Sequence, residues 1–512
     1  MKKNVLAIDC GTQSIRAMVV NSKGQILAKA REQLIIMERE KAGYAEMDPD
    51  VLWNSFCNVC KQAKNINPDA FNKIEAMTIT IFRNSFLPMD FEGKPLRPII
   101  LWMDQREAHC KDEMKLKARI LGKLAGLEYP FEQFRKQCKA HWIQENEPDI
   151  WAKTYKYVFV SGYLYYMLTG NFKDAQIAQI GHVPYDFKKK TWDKKGGIKD
   201  MLFNIEREKL PELVETGKVL GYITKKAAEE TGIKEGLKVL ATGPDKACDT
   251  IGSGCLDSEV GNISLGTAVT IQTQSKKYLE MTKFIPPYPS VMDDYYNIEV
   301  QIFRGYWMLS WFNREFAEKE VMEAKALGVT PESLLNKRLK EVPPGSEGLL
   351  LQPYWGPALK RPEAKGAIIG FDDNHTRIHI YRAIIEGINY ALLESIERIE
   401  KKTKIPMKTL TITGGGAQSD EICQITANML NRPVLRTQTH ETAGIGAAVS
   451  AFVGLGVYDS YKQAVEEMVH YTQIFKPEFD EVRIYQKIYT LGYKKIYKKL
   501  KPIYKNLKHL DI

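Results

Sequence analysis

The feature that most limits what this 512-residue chain can fold into is one that occurs twice. Residues 5–20 read as an apolar strand, a turn Asp9-Cys10-Gly11-Thr12-Gln13-Ser14, and a second strand; residues 261–271 read as strand, Gly266-Thr267, strand. The copies lie about 250 residues apart, one near the start of each half. A chain of this length exceeds what a single hydrophobic core serves, so two domains of about 250 residues are expected. Two similar domains facing each other would bring two phosphate loops to one nucleotide. Neither a GxxxxGK[ST] loop nor a convincing strand-linked GxGxxG is present, which weakens the commoner nucleotide folds.

The first turn continues through residues 15–20 into a third strand over 25–30, a meander. Gly11 lets the backbone approach a phosphate, Thr12 and Ser14 can donate hydrogen bonds, Arg16 is near, and Asp9 could hold Mg²⁺ directly or through water. An ordinary hairpin would use the same residue types. Residues 237–242 form a buried strand that Gly243-Pro244 stops, and residues 246–251 suit a helix. Asp245 therefore falls at a strand end and a helix N-terminus, where partial positive charge keeps a carboxylate ionised and able to accept a proton. Gly266-Thr267 offers backbone N–H groups to an anion. Helix capping and a plain hairpin remain open for both.

Residues 98–110, PIILWMDQREAHC, read as a strand ending in Trp102, Asp104 and Arg106 before a charged helix over 107–127, with another helix over 139–152. An aromatic face with a carboxylate and a guanidinium suits a polyhydroxylated ligand. The same residues equally suit a buried Trp beside an Asp–Arg ion pair. Strand 409–413 runs into Gly414-Gly415-Gly416-Ala417 and a helix over 420–430, where bare backbone would admit a flat adenine or ribose. Residues 48–64 and 379–402 read as amphipathic helices, and Tyr485, Tyr489, Tyr493 and Tyr497 mark a last helix packed on the body. The stretch 173–187 resists assignment.

The formal charge of +10 is misleading, because nine Lys/Arg against one acid, Asp511, from Arg483 onward account for +8 of it. The body is nearly neutral, so no nucleic-acid footprint is expected. Eight scattered cysteines and a strand that starts within four residues of Met1 point to a reducing cytoplasm. Cys57 and Cys60 form a CxxC without the further ligands a zinc site needs. No apolar run reaches the length of a membrane span. A homodimer is left open.

Taken in order, AIDCGTQSIRA, Trp102-x-Asp104-x-Arg106, Lys139-Ala140-His141-Trp142, GPDKACDTIGSG, GNISLGTAVTI, GAIIGF…HIYRAIIEG and TGGGAQSDEICQITANML resemble the FGGY carbohydrate kinases across nearly the whole chain. That family includes xylulokinase, glycerol kinase, ribulokinase and autoinducer-2 kinase. The resemblance implies an α/β protein of two actin-like ATPase domains of the ribonuclease-H type, 1–255 binding sugar and 256–512 binding nucleotide and ending in the basic helix, with ATP and sugar in an interdomain catalytic cleft.

It further implies Asp245 as the base, Asp9 as the Mg²⁺-associated acid, and Gly11, Thr12, Gln13, Ser14, Arg16, Gly266 and Thr267 at the phosphates. Gly415, Gly416, Ala417 and Ser419 would form the adenosine pocket; Arg83, Asn84, Trp102, Asp104, Arg106 and Asp245 would bind or shape the acceptor. The implied activity is transfer of the ATP γ-phosphate to a hydroxyl of a small ketose or polyol, a pentulose such as xylulose first. A glycerol- or erythritol-type kinase, a non-catalytic ATP- or sugar-binding regulator, and an ATPase with a protein client are the alternatives. Arg83-Asn84 stands where xylulokinases show Met-His and glycerol kinases Arg-Glu, and Phe371 follows Gly370 where an aliphatic residue is usual.

Overall fold

All seven residues of Asn4–Cys10 (β1) are buried, which fits a central strand covered on both faces and explains its unbroken apolar run. In this computed structural model, which describes residues 3–37, 41–110, 114–282, 285–356 and 361–508, β1 pairs antiparallel with Ser14–Asn21 (β2), and β2 antiparallel with Ile26–Gln33 (β3). Helix Pro49–Ile66 (α1), capped by Asp48 and opened by Pro49, leads to Ile74–Ile81 (β4), parallel to β1 on its other side. Val219–Tyr222 (β5) and Lys238–Leu240 (β6) complete the order β5-β6-β4-β1-β2-β3, with β6 parallel to β4 and β5 antiparallel to β6. Asp245–Gly252 (α2) follows β6 after the Gly243-Pro244 break.

The second unit repeats those pairings. Val260–Leu265 (β7) is antiparallel to Val269–Ser275 (β8), which neighbours Tyr296–Ile302 (β9). Helix Arg377–Thr403 (α3) precedes Thr409–Thr413 (β10), parallel to β7. After Asp420–Leu430 (α4), Val434–Thr437 (β11) is parallel to β10, and Tyr471–Phe475 (β12) is antiparallel to β11. The doubled strand, Gly-Thr, strand pattern thus marks the central hairpin of each of two sheets with one topology.

The chain divides at Gly252/Ser253, but Tyr288–Tyr296 and Glu441–Val469 belong to the first unit, which a single cut at 255/256 does not show. The cause is close packing. Helix Thr442–Gly454 lies against α2 so tightly that a Cβ on Gly252 would sit 1.9 Å from the Thr442 carbonyl oxygen, and one on Gly446 1.9 Å from that of Cys248. Thr442 Oγ1 also donates to the Asp249 carboxylate. Backbone cannot yield as a side chain can, so Gly446→Ala should destabilise the protein by about 3 kcal/mol and displace Asp245 at the head of α2. Urea unfolding together with turnover would register both losses.

Three expected elements differ. The charged helix over 107–127 is confined to Leu116–Ala125; residues 111–113 lie outside the described ones, and up to Cys110 the backbone donors go elsewhere, Gln105 N to Gly43 O, Ala108 N to Lys136 O and His109 N to Glu145 Oε2. The helix over 139–152 is two, Lys139–Asn146 and Pro148–Lys153, broken by the proline. At the C-terminus a π turn over Tyr489–Tyr493 separates Phe479–Ile488 from Lys494–Lys508. It keeps both Tyr489 and Tyr493 on the Tyr390 ring, at centroid distances of 5.8 and 4.9 Å.

His182 lies between the rings of Phe134 and Phe203. Burial, and then the Lys139 charge, pull its imidazole down to about 4. A folded value below the unfolded one of 6.5 means that this stability is present above pH 6.5 and lost as pH falls towards 4. The loss is at most about 3 kcal/mol, and His182→Gln should flatten the melting temperature over that interval.

Candidate active site

The register of the first hairpin sets Arg16 directly across from Asp9. Arg16 Nη1 donates to Asp9 Oδ2 at 2.9 Å, while its Nε lies 3.4 Å from Glu441 Oε2 and Lys29 Nζ 3.1 Å from Glu441 Oε1. Asp9 and Glu441 are both buried. Burial pushes the Asp9 carboxyl up to about 6; Arg16 opposes this, and the charges of Asp245 and Glu441 add to it. Three carboxylates, Asp9, Asp245 and Glu441, thus act at this point together with the cations of Arg16 and Lys29. Among the described residues no group of three or more His, Cys, Asp or Glu is placed to hold a metal; a cation at Asp9 would have that one carboxylate, directly or through water. Glu441 and Lys29 escaped the sequence reading, since they stand 412 residues apart and neither lies in a Gly-rich turn.

Thr12 and Gly11 are half-buried at the hairpin tip and Gln13 is exposed, whereas Ser14 is buried beneath it, its carbonyl accepting from Gly11 N at 3.0 Å. Asp245 opens α2, as its place after Gly243-Pro244 suggested, with Oδ1 accepting from Lys246 N at 2.8 Å. The charge of Asp245 is felt at Asp9.

Trp102 is about half exposed, at 51 %, and its Nε1 donates to Thr12 Oγ1 at 2.9 Å. Its backbone N–H donates to Ser85 Oγ at 3.0 Å, tying it to the Arg83-Asn84 segment. The Arg83 guanidinium lies over the Tyr288 ring at 4.6 Å. Asn84 adopts φ 58°, and its Oδ1 is buried with no partner among the described residues.

Asp104 and Arg106 prove to be the ion pair that the sequence left as the alternative. Their side chains are 0 % and 1 % exposed, which removes them from direct contact with a sugar. Arg106 Nε and Nη2 donate to the two Asp104 oxygens at 2.8 Å each, and Ala45 N to Asp104 Oδ2 at 2.7 Å. Burial alone would raise the Asp104 carboxyl, but the hydrogen bonds from Arg106 and Ala45 hold it below its usual value. Arg106 also reaches Glu46 and is covered by the Tyr44 and Trp142 rings, while Lys139 Nζ caps the carbonyls of Asp104 and Arg106. The network fixes the chain on which Trp102 stands.

In the second unit, Gly266-Thr267 joins β7 to β8, and its carbonyls accept from Tyr306 N and Trp307 N at 3.1 and 3.2 Å. Of the three consecutive glycines, Gly414 (φ 85°) and Gly416 are demanded by packing: a Cβ would sit 2.7 Å from Leu265 O and from Tyr306 Cε1 respectively. Only Gly415 leaves open ground for a ligand. Ala417 is buried, its carbonyl accepting from Arg436 Nε at 2.7 Å. Ser419 caps α4, accepting from Ile422 N and donating to Glu421 Oε2, an occupation that the sequence reading did not foresee.

Two sheets of this one topology define the actin-like ATPase fold. The chain belongs to the FGGY family of carbohydrate kinases, whose N-terminal domain matches residues 4–252 and whose C-terminal domain matches residues 261–455. It is 31% identical to the uncharacterized sugar kinase YgcE of Escherichia coli K12, over 93% of this chain and 89% of that one. It is 30% identical to a xylulose kinase of Lactococcus lactis, over 96% of each. The solved xylulose kinase of Rhodospirillum rubrum superposes with a TM-score of 0.83 at 22% identity, covering 98% of this chain and 100% of that one. The protein is therefore an ATP-dependent carbohydrate kinase, a phosphotransferase with a small-molecule alcohol acceptor. Among the described residues no helix is long and apolar enough to cross a membrane.

Proposed function

We propose that this kinase phosphorylates a primary hydroxyl of a small ketose, a pentulose such as xylulose, with Asp245 as the base. The observation that carries the reading is the acidic set in the first unit, where Asp9 feels the charges of both Asp245 and Glu441 beside the Arg16 guanidinium. The likeness to xylulose kinases along the full length of the chain supports the pentulose.

Phosphoryl transfer asks for in-line positioning and charge neutralisation rather than covalent chemistry. The Gly11-Thr12 turn and Arg16 would hold the transferring phosphate, with Gly266-Thr267 and the open Gly415 backbone as further nucleotide contacts. Mg²⁺, held at Asp9 directly or through water, would supply charge neutralisation at the phosphates. Trp102 would offer the acceptor an apolar face, and Arg83 and Asn84 its polar contacts; Asp104 and Arg106 would act from beneath by fixing Trp102. Asp245 would take the proton of the attacking hydroxyl.

A polyol acceptor is the second reading, favoured by Arg83, which stands on Tyr288 where glycerol kinases also show Arg. ADP release with Mg²⁺-ATP across xylulose, ribulose, fuculose, glycerol, erythritol and gluconate tests both. Turnover with a ketose alone supports the first reading and turnover with glycerol or erythritol the second, whereas ADP release indifferent to any acceptor overturns both.

A further inference from the structure

The bond between Trp102 and Thr12 joins two parts of the site that the chemistry treats separately, the acceptor wall and the phosphate-binding turn. An indole N–H can only donate. The Thr12 oxygen is therefore the acceptor in this 2.9 Å contact, and its own hydrogen is directed away from the ring. A hydroxyl rotor that would otherwise sample three positions is fixed as a donor. Trp102 is in turn fixed from behind, by its N–H to Ser85 Oγ and by the buried Asp104–Arg106 pair two to four residues on. Its ring remains half exposed although both of its N–H donors are spent.

We propose that Trp102 is a positioning residue for the Thr12 hydroxyl, presetting it as a hydrogen-bond donor to a nucleotide phosphate, so that the acceptor's aromatic wall and the phosphate turn act as one hydrogen-bonded unit. This rests on Thr12 facing phosphate as set out above. An acceptor lying on the ring holds the indole, and the indole holds the hydroxyl that binds the donor.

The test is a double-mutant cycle of Trp102→Phe, which keeps an aromatic face but loses the N–H, and Thr12→Val, which keeps the shape but loses the hydroxyl. It is read twice, as the dissociation constant of a non-hydrolysable ATP analogue and as the KM values for ATP and for whichever acceptor is turned over. Trp102→Phe should weaken the analogue and raise the KM for ATP by about 3-fold, the worth of freezing a three-position rotor, with the acceptor KM changed by no more than about 2-fold. In the Thr12→Val background the same change should have no effect on nucleotide affinity. Thr12→Ser, which restores the hydroxyl, should recover both the affinity and the sensitivity to Trp102→Phe.

Additive losses in the two single variants, or a Trp102→Phe effect confined to the acceptor KM, overturn the proposal. Wild-type protein that couples the two residues in analogue binding yet turns over no acceptor upholds it, and rejects the acceptor assignment instead. Coupled binding with acceptor-dependent turnover upholds both.

Discussion

Asp245→Asn should cut kcat by ~10²–10⁴ while leaving nucleotide affinity and the unfolding transition nearly unchanged. The geometry separates these effects. The hydrogen bond that fastens Asp245 to its helix runs from Lys246 N to Oδ1 at 2.8 Å, and the amide oxygen of Asn can accept it equally well. What Asn cannot do is take a proton from an attacking hydroxyl, so the chemical step alone should suffer. Loss of the charge also relieves Asp9, whose carboxyl Asp245 helps to push up, so Asp9 stays ionised in the variant. Pre-steady-state ADP formation with saturating acceptor reads the chemical step directly, and titration with an ATP analogue reads the binding. Retained turnover would remove Asp245 from the role of base, and a parallel loss of nucleotide affinity would make it a charge that holds the cation.

Much of this architecture is legible in the sequence because the elements concerned are locally encoded. The Gly-Thr hairpins, Pro49 at the head of α1, and the Gly243-Pro244 break ahead of Asp245 each follow from residue chemistry within a few positions. What escaped depends on partners far along the chain. Glu441 reaches Arg16 and Lys29 across more than 400 residues, and its neighbour Thr442 reaches Asp249, which is why the first unit reclaims Glu441–Val469. Asp104 and Arg106 illustrate the opposite limit. Their types and spacing fitted a sugar contact and an ion pair equally, and only the burial of both side chains, with Ala45 N and Glu46 drawn in, decides for the ion pair. The three consecutive glycines divide in the same way, two fixed by neighbours at Leu265 and Tyr306 and one left open.

Asp9→Asn should abolish useful turnover and, above pH 6, make the protein more stable. The Asp9 carboxyl is held near 6 in the fold against 3.8 ordinarily, first by burial and then, with Arg16 opposing, by Asp245 and Glu441. A group that binds its proton more tightly folded than unfolded gives stability that is complete below about pH 4 and lost as pH rises through 6. The charged carboxylate therefore costs the apoprotein up to about 3 kcal/mol at neutral pH. Asn removes that cost but also the charge that a cation would balance. The expected result is a kcat lower by ~10²–10³, a Mg²⁺ requirement raised by about 10–100-fold, and a melting temperature above wild type at pH 8 that converges on it at pH 4. Saturating Mg²⁺ should close the gap at pH 8, because the cation offsets in the wild type the charge that Asn lacks. A variant less stable than wild type at pH 8 would show that the Arg16 ion pair outweighs the burial of Asp9, and would make the acid structural. The prediction joins catalysis to instability at one residue: the site is poised for a cation by a carboxylate whose charge the fold makes costly.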